Sequence, residues 1–294
     1  MLLRDISLCN ESLFLSVKFL KNLLCMHSKL KKRRNFVRKK RIKLKFMKIL
    51  VCISHVPDTT SKINFTNNDA EFDKTGVQFV INPYDEFCLT RAMWFKEKQG
   101  ATVTVVNVGG AETEPTLRKA LAIGADDAIR INVAATDGFV VAKELAAVVK
   151  AGGYDLVLAG KESADYNGQM VPGMLASLVA YNFVNGCVDL EVEDTNVAVK
   201  REIDGGNETI STSLPLVIGG QKGIVEEKDL RIPNMRGIMM ARKKPMQVLE
   251  GSGALAATNS ISFEKLAPKG AVKLVAADNL DALIDLLHNE AKVI

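Results

Sequence analysis

Aromatic residues make up only 6% of the 294, Trp94 is the single tryptophan, and histidine occurs three times, at His27, His55 and His288. The five cysteines, Cys9, Cys25, Cys52, Cys88 and Cys187, form no C-x-x-C and no Cys/His pairing at zinc spacing. A zinc module is therefore excluded, and a reducing compartment is the simplest setting. No stretch of about 20 apolar residues runs uninterrupted, so no helical membrane span is expected. Catalytic signatures are missing as well: there is no G-x-S-x-G elbow, no H-E-x-x-H and no carboxylate pair at a spacing that specifies acid–base work. Neither G-x-G-x-x-G nor G-x-x-x-x-G-K-[ST] occurs, which removes the standard dinucleotide fingerprint and the P-loop. His55 stands alone in the body of the chain, and a lone histidine beside a strand end is more often structural than catalytic. These absences describe a binding protein rather than a catalyst.

What is present is an ordinary globular composition, 47% apolar and 25% charged. The net charge of +5 misleads, because residues 1–46 hold 14 Lys/Arg against only Asp5 and Glu11. The remainder carries 25 basic and 32 acidic residues, so the body is acidic and gives no support for nucleic acid as a partner. The leader runs from amphipathic apolar text into Lys31-Lys32-Arg33-Arg34 and Arg38-Lys39-Lys40-Arg41. That order is the reverse of a secretory signal; it fits a mitochondrial-type transit peptide or a surface-lying helix. The plainest reading starts the chain at Met47, directly before the first strand, and fold reasoning begins there.

From Met47 onward the pattern predicts strands at 49–53, 102–108, 128–133 and 155–159. They alternate with helices at 85–98, 112–122, 137–150 and 169–179. This β-α-β-α order specifies a Rossmann-like doubly wound parallel α/β sheet with right-handed crossovers. After residue 183 the pattern changes to a hairpin, 196–203 with 208–213 around Asp204-Gly205-Gly206, followed by a buried strand at 216–218. A basic loop (231–245), a stretch of low regularity and an amphipathic helix near 280–291 complete the chain. The expected organisation is a leader (1–46), a nucleotide-binding α/β domain (47–250) and an extended C-terminal arm (251–294) that needs another surface to lie against.

Ligands of open α/β sheets sit beyond the carboxyl ends of the strands. The loops to inspect are Cys52 to Asp58, Asn82 to Glu86, Val108-Gly109-Gly110 and Gly160 to Gln169. Glycine after a strand lets backbone N–H groups approach a phosphate, and a helix N-terminus favours an anion. Glycine equally serves to end strands, and for any one of Gly109, Gly110, Gly160 and Gly168 both readings stand. Arg242-Lys243-Lys244 is a solvated basic face or, beside Ile232, Met235, Ile238, Met239 and Met240, a protein-docking loop, since methionine adapts to varied surfaces and basic residues steer acidic partners.

Three segments carry a specific resemblance: Lys200-Arg201-Glu202-Ile203-Asp204-Gly205-Gly206-Asn207-Glu208-Thr209 with Leu214-Pro215; Ile238 to Pro245; and Ala120-Leu121-Ala122-Ile123-Gly124-Ala125-Asp126. Together with Ile49-Leu50-Val51, Val56 and Asn82-Pro83-Tyr84 they resemble the beta subunit of electron transfer flavoprotein from Met47 to about residue 250. The resemblance implies a non-enzymatic electron carrier, heterodimeric with an alpha subunit and sharing its FAD. Electrons would pass from flavin dehydrogenases, such as acyl-CoA dehydrogenases of fatty acid oxidation, toward a quinone oxidoreductase. It places Thr59 and Tyr84 nearest the flavin. It assigns AMP, or a second FAD in electron-bifurcating relatives that use NADH, to Cys52, Asn82, Val108, Gly109, Gly160, Asp165, Asn167, Gly168 and Gln169. Met235 would stand at the tip of the docking loop, with Arg236, Arg242 and Lys243 beside it. The location implied is the bacterial cytoplasm, or the mitochondrial matrix if the leader is a transit peptide. Two features depart from the family pattern: the 160–169 loop is several residues shorter, and Leu230 to Gly237 lacks the usual Asn-Glu-Pro-Arg opening. A free-standing adenine-nucleotide-binding protein of the universal-stress type shares the sheet order and is the reading from another class.

Overall fold

The computed structural model describes residues 46–265, 267 and 270–294; the readings of the leader lie outside the described residues. The strands, in chain order, are β1 (Lys48–Cys52), β2 (His55–Pro57), β3 (Phe65–Thr66), β4 (Glu71–Phe72), β5 (Phe79–Ile81), β6 (Thr102–Val108), β7 (Asp127–Asn132), β8 (Leu156–Gly160), β9 (Asn182–Glu193), β10 (Asn196–Ile203), β11 (Gly206–Ser213), β12 (Leu216–Gly220) and β13 (Met246–Glu250). The helices are α1 (Pro83–Gln99), α2 (Glu114–Ile123), α3 (Gly138–Gly152), α4 (Val171–Val179), α5 (Met235–Ala241) and α6 (Leu280–Asp285).

Local chemistry sets the helix ends. Pro83 opens α1, where its missing N–H costs nothing, and Gly100 closes it at φ 70. The Asp137 carboxylate caps α3 by accepting from the N–H of Val140 at 2.8 Å. Nine strands form one sheet in the order β11-β10-β9-β12-β8-β1-β6-β7-β13. Pairing is parallel from β9 to β13, and the β10–β11 hairpin continues it antiparallel. Alternate residues of the central strands serve two cores. Ile49, Val51, Val105 and Leu158 pack with Leu89 of α1 and Leu117 of α2, while Leu50, Val106 and Val157 pack with Leu145 of α3 and Leu175 of α4. Strands buried on both faces explain the β-branched runs, and the doubly wound sheet expected from the sequence is the one present.

Five elements differ from the sequence expectation. The twelve-residue β9 was not expected, because Gly186 at φ 68 and a register shift beside it break the alternation. β2 and β5 pair in a short two-stranded sheet of their own between β1 and α1. Within the expected basic loop lies α5, which Asn234 starts by accepting from the N–H of Gly237 at 2.7 Å. β13 fills the stretch of low regularity, pairing with β7 as an edge strand.

The described residues divide into two compact units, the first reaching Thr59 and running from Gln78 to Thr258, the second comprising 60–77 and 259–294. Two buried acids hold the end of the first unit against α3: Glu144 accepts from Ser252 N–H and Oγ, and Asp137 accepts from the N–H groups of Ala257 and Thr258. These bonds, that from Val140 first, keep the Asp137 carboxyl below its usual range. In the second unit the β3–β4 hairpin receives Phe263, whose ring stacks on Phe65 at 5.0 Å and whose N–H donates to Asp69 O. Among the described residues, no strand or helix occurs between β13 and α6.

Leu158 is fully buried in the central strand. Leu158→Ala is expected to cost roughly 2–5 kcal/mol through lost transfer energy plus the cavity left, read as a lowered urea midpoint at unchanged m-value.

Candidate functional site

The chain runs from β1 outward through β6 to β7, then returns to β8 on the other side of β1 and continues to β12. The strand order reverses between β1 and β8, and in such sheets the crevice opens at the carboxyl ends of these two strands. The first turn of α1 forms its floor. Asp85, 2% exposed, accepts from the N–H of Ser54 beyond β1 and from the N–H of Gly160 at the end of β8, both at 2.7 Å. Burial pushes its carboxyl up to about 6 against the pull of these two donors. Asn82, fully buried, donates to Glu162 O at 2.9 Å and accepts from Ala164 N–H at 3.1 Å, so it fastens the loop after β8.

Gly160 is glycine for a packing reason: a Cβ there would sit 2.5 Å from Asp85 Oδ1 and 2.7 Å from Tyr84 Cβ. Gly109 is similar, with Thr113 Cγ2 at 2.4 Å and Asn107 Oδ1 at 2.9 Å from its Cβ position. Cys52 closes β1 with its thiol in the α3–α4 core; burial first, then the Asp85 charge, hold that thiol well above its usual range. Val108 ends β6 in the same core. Tyr84 is half-buried, and Lys161 Nζ stands 5.5 Å from its ring centroid. Asp165, Asn167, Gly168 and Gln169 form an exposed loop after β8, with Asn167 at φ 48 and Gln169 at φ 50. Thr59 is exposed beyond β2. His55, at the start of β2, stacks on Phe79 at 4.5 Å, and its Nδ1 lies 2.7 Å from Thr116 Oγ1.

Beneath the Gly109–Gly110 turn lie two polar side chains that the sequence reading passed over. Asn107 of β6 and Arg130 of β7 are cross-strand partners, 3% and 8% exposed. Asn107 Nδ2 donates to Ile53 O at 2.8 Å, and Arg130 Nη1 donates to Gly109 O at 3.1 Å. Their signal was a polar residue interrupting each of the apolar runs TVTVVNV and AIRINV. Only the strand register makes them neighbours.

Met235, Arg236, Arg242 and Lys243 are all exposed on or beside α5. A groove of about 560 Å³, lined by Pro115, Arg118, Lys119, Pro233, Ile238 and Arg242 among others, runs between α5 and α2. Lys244 of the same basic run turns inward, donating to Leu121 O at 2.9 Å and Ala125 O at 2.5 Å at the end of α2. Among the described residues no group of His, Cys, Asp or Glu could hold a metal ion, and no helix is long and apolar enough to cross a membrane.

Sheet order and the loops at the strand ends define a doubly wound α/β protein. Comparison with known proteins narrows this class. The electron transfer flavoprotein domain matches residues 70–253. The chain is 34% identical over 262 residues to the electron transfer flavoprotein subunit beta of Bacillus subtilis, covering 84% of this chain and 100% of that protein. The same subunit of Syntrophomonas wolfei is 32% identical over 253 residues (84% and 98% covered), and that of Dictyostelium discoideum 31% over 242 (80% and 95%). The chain belongs to the electron transfer flavoprotein beta-subunit family. That family is named for flavoprotein components that carry electrons.

The Asp85 carboxyl binds its proton more tightly folded than unfolded. Its contribution to stability is therefore full below about pH 4 and is lost as pH rises through about 6. The stability of wild type relative to Asp85→Asn is expected to fall by about 2 kcal/mol between pH 4 and pH 7. Urea unfolding of both proteins across that range measures it, and a constant difference would refute the assignment.

Proposed function

We propose that this chain is the β subunit of a heterodimeric FAD electron carrier, taking electrons from flavin dehydrogenases such as acyl-CoA dehydrogenases and passing them toward a quinone oxidoreductase. The observation that carries the docking part is α5 and its approach. Ile232, Met235 and Met239 are 85%, 76% and 67% exposed, with Arg236, Arg242 and Lys243 around them. An apolar patch rimmed with cations suits an acidic, apolar-pocketed partner surface. A bound FAD would supply the electron chemistry; Thr59 and Tyr84 are the residues of this chain offered to it, and burial and nearby charge would set its potential.

The crevice between β1 and β8 suits an adenine nucleotide, AMP in this reading. Cys52 and Val108 end β1 and β6 at its base with their side chains in the α3–α4 core, and Lys161 with the Asn167 and Gln169 amides would supply polar groups at its rim. Asn82 and Gly160 hold the rim in place rather than reach outward, since their surroundings are protein atoms. Residues 251–294 act as the arm that lies on the alpha subunit: Ile261, Val272, Leu274 and Leu280 are between 64% and 91% exposed, apolar area that water disfavours.

The chain purified with its partner subunit from its own host should release, on acid treatment, one FAD and one AMP per complex. Two FAD would replace this reading with the bifurcating one. A lone chain holding adenine nucleotide without flavin would replace it with the universal-stress type. Within the complex, Met235→Glu should slow reduction by an electron-donating dehydrogenase by about tenfold or more, the effect of losing one interface anchor, with flavin content and visible spectrum unchanged.

A further inference from the structure

Arg130 is a buried cation with no anionic partner among the described residues. It is 8% exposed, its Nη1 donates only to Gly109 O and, at 3.0 Å, to Asn132 Oδ1, and its Nε has no partner among the described residues. Beside it, Asn107 Oδ1 is also buried without a partner among the described residues. Burying a guanidinium against neutral acceptors alone is costly, and a strand position facing α2 would be filled more cheaply by valine or isoleucine.

The geometry of the turn gives that cost a use. Gly109 N–H donates to Ile131 O of β7 at 2.9 Å, and its carbonyl is drawn to the same side by Arg130. A planar trans peptide holds C=O and N–H antiparallel. The N–H of Gly110 is therefore turned away from the Arg130 guanidinium. A guanidinium on the carbonyl also polarises the peptide, strengthening that N–H as a donor in a low-dielectric setting. Gly109 can carry no side chain here, because Thr113 and Asn107 occupy its Cβ position.

We propose that Arg130 is a positioning residue for nucleotide binding, acting through the Gly109–Gly110 peptide to aim and strengthen the Gly110 N–H as a donor to an adenine nucleotide in the switch-point crevice. This rests on the reading of that crevice as the nucleotide site.

The test uses the full complex with its companion subunit, stripped of AMP and titrated with AMP by calorimetry. Arg130→Gln removes the charge. Gly110→Pro removes the N–H itself at a backbone φ of −71 that proline accepts, with only the flexible end of Glu112 near its Cβ position. Each variant should weaken AMP roughly tenfold, the value of one hydrogen bond to a ligand. Because both act on one donor, the double variant should bind no more weakly than the weaker single one. The thermal midpoint of AMP-free Gly110→Pro should match wild type, a result that a merely structural turn would not give. Additive losses in the double variant, or wild-type affinity in either single variant, would overturn the proposal. A wild-type complex that binds no AMP would overturn the reading of the crevice and the role of Arg130 together.

Discussion

One carboxylate fixes the geometry on which the site depends. Asp85 lies in the first turn of α1, where the helix dipole favours a negative charge, yet it is turned down into the sheet. There it accepts from the N–H groups of Ser54, just past β1, and of Gly160, which ends β8, on strands adjacent in space and about a hundred residues apart in sequence. Charge-assisted bonds to N–H groups recover part of its desolvation cost; the upward displacement of its titration measures what is not recovered. Other details of the crevice follow from this contact. Gly160 cannot carry a side chain because Asp85 and Tyr84 fill the space, and Asn82, one turn earlier, ties down the next residues of the same loop.

The second constraint is that the sheet ends on strands of unequal burial, and this decides how legible each part was in the sequence. β1, β6, β7 and β8 are covered on both faces, so selection for burial writes them as β-branched runs. β13 could not be read this way, since as an edge strand it exposes Val248 and pairs on one side only. β9 could not either, because Gly186 and the bulge beside it shift which residues face inward. Asp85 and Lys161 lie in the loops that topology singles out. Arg130 and Asn107 do not, because a polar residue inside a strand reads as solvent-facing until the register puts it under a turn.

α5 was read as loop for a related reason. Amphipathic periodicity finds helices that bury their apolar stripe in their own chain, whereas Met235, Ile238, Met239 and Met240 all face outward. The helix is held mainly by polar bonds: Arg118 donates to Ala241 O and Lys244 O, and Lys244 donates to the carbonyls that end α2. Gly237 lets it approach closely, since a Cβ there would lie 2.4 Å from Ala122 O.

Fastening a helix through backbone carbonyls frees its apolar side chains from the work of attachment. A helix held by burying its methionines could not offer them to a second surface without coming loose. Held by Arg118 and Lys244 it can, and the solvent exposure of Met235 and Met239 then has a structural origin in the bonds beneath them. The same division holds at the strand ends: Asp85, Asn82 and Arg130 act on backbone groups of the Ser54, Gly160–Ala164 and Gly109 turns from below. In both places the buried polar side chains shape the surface above them.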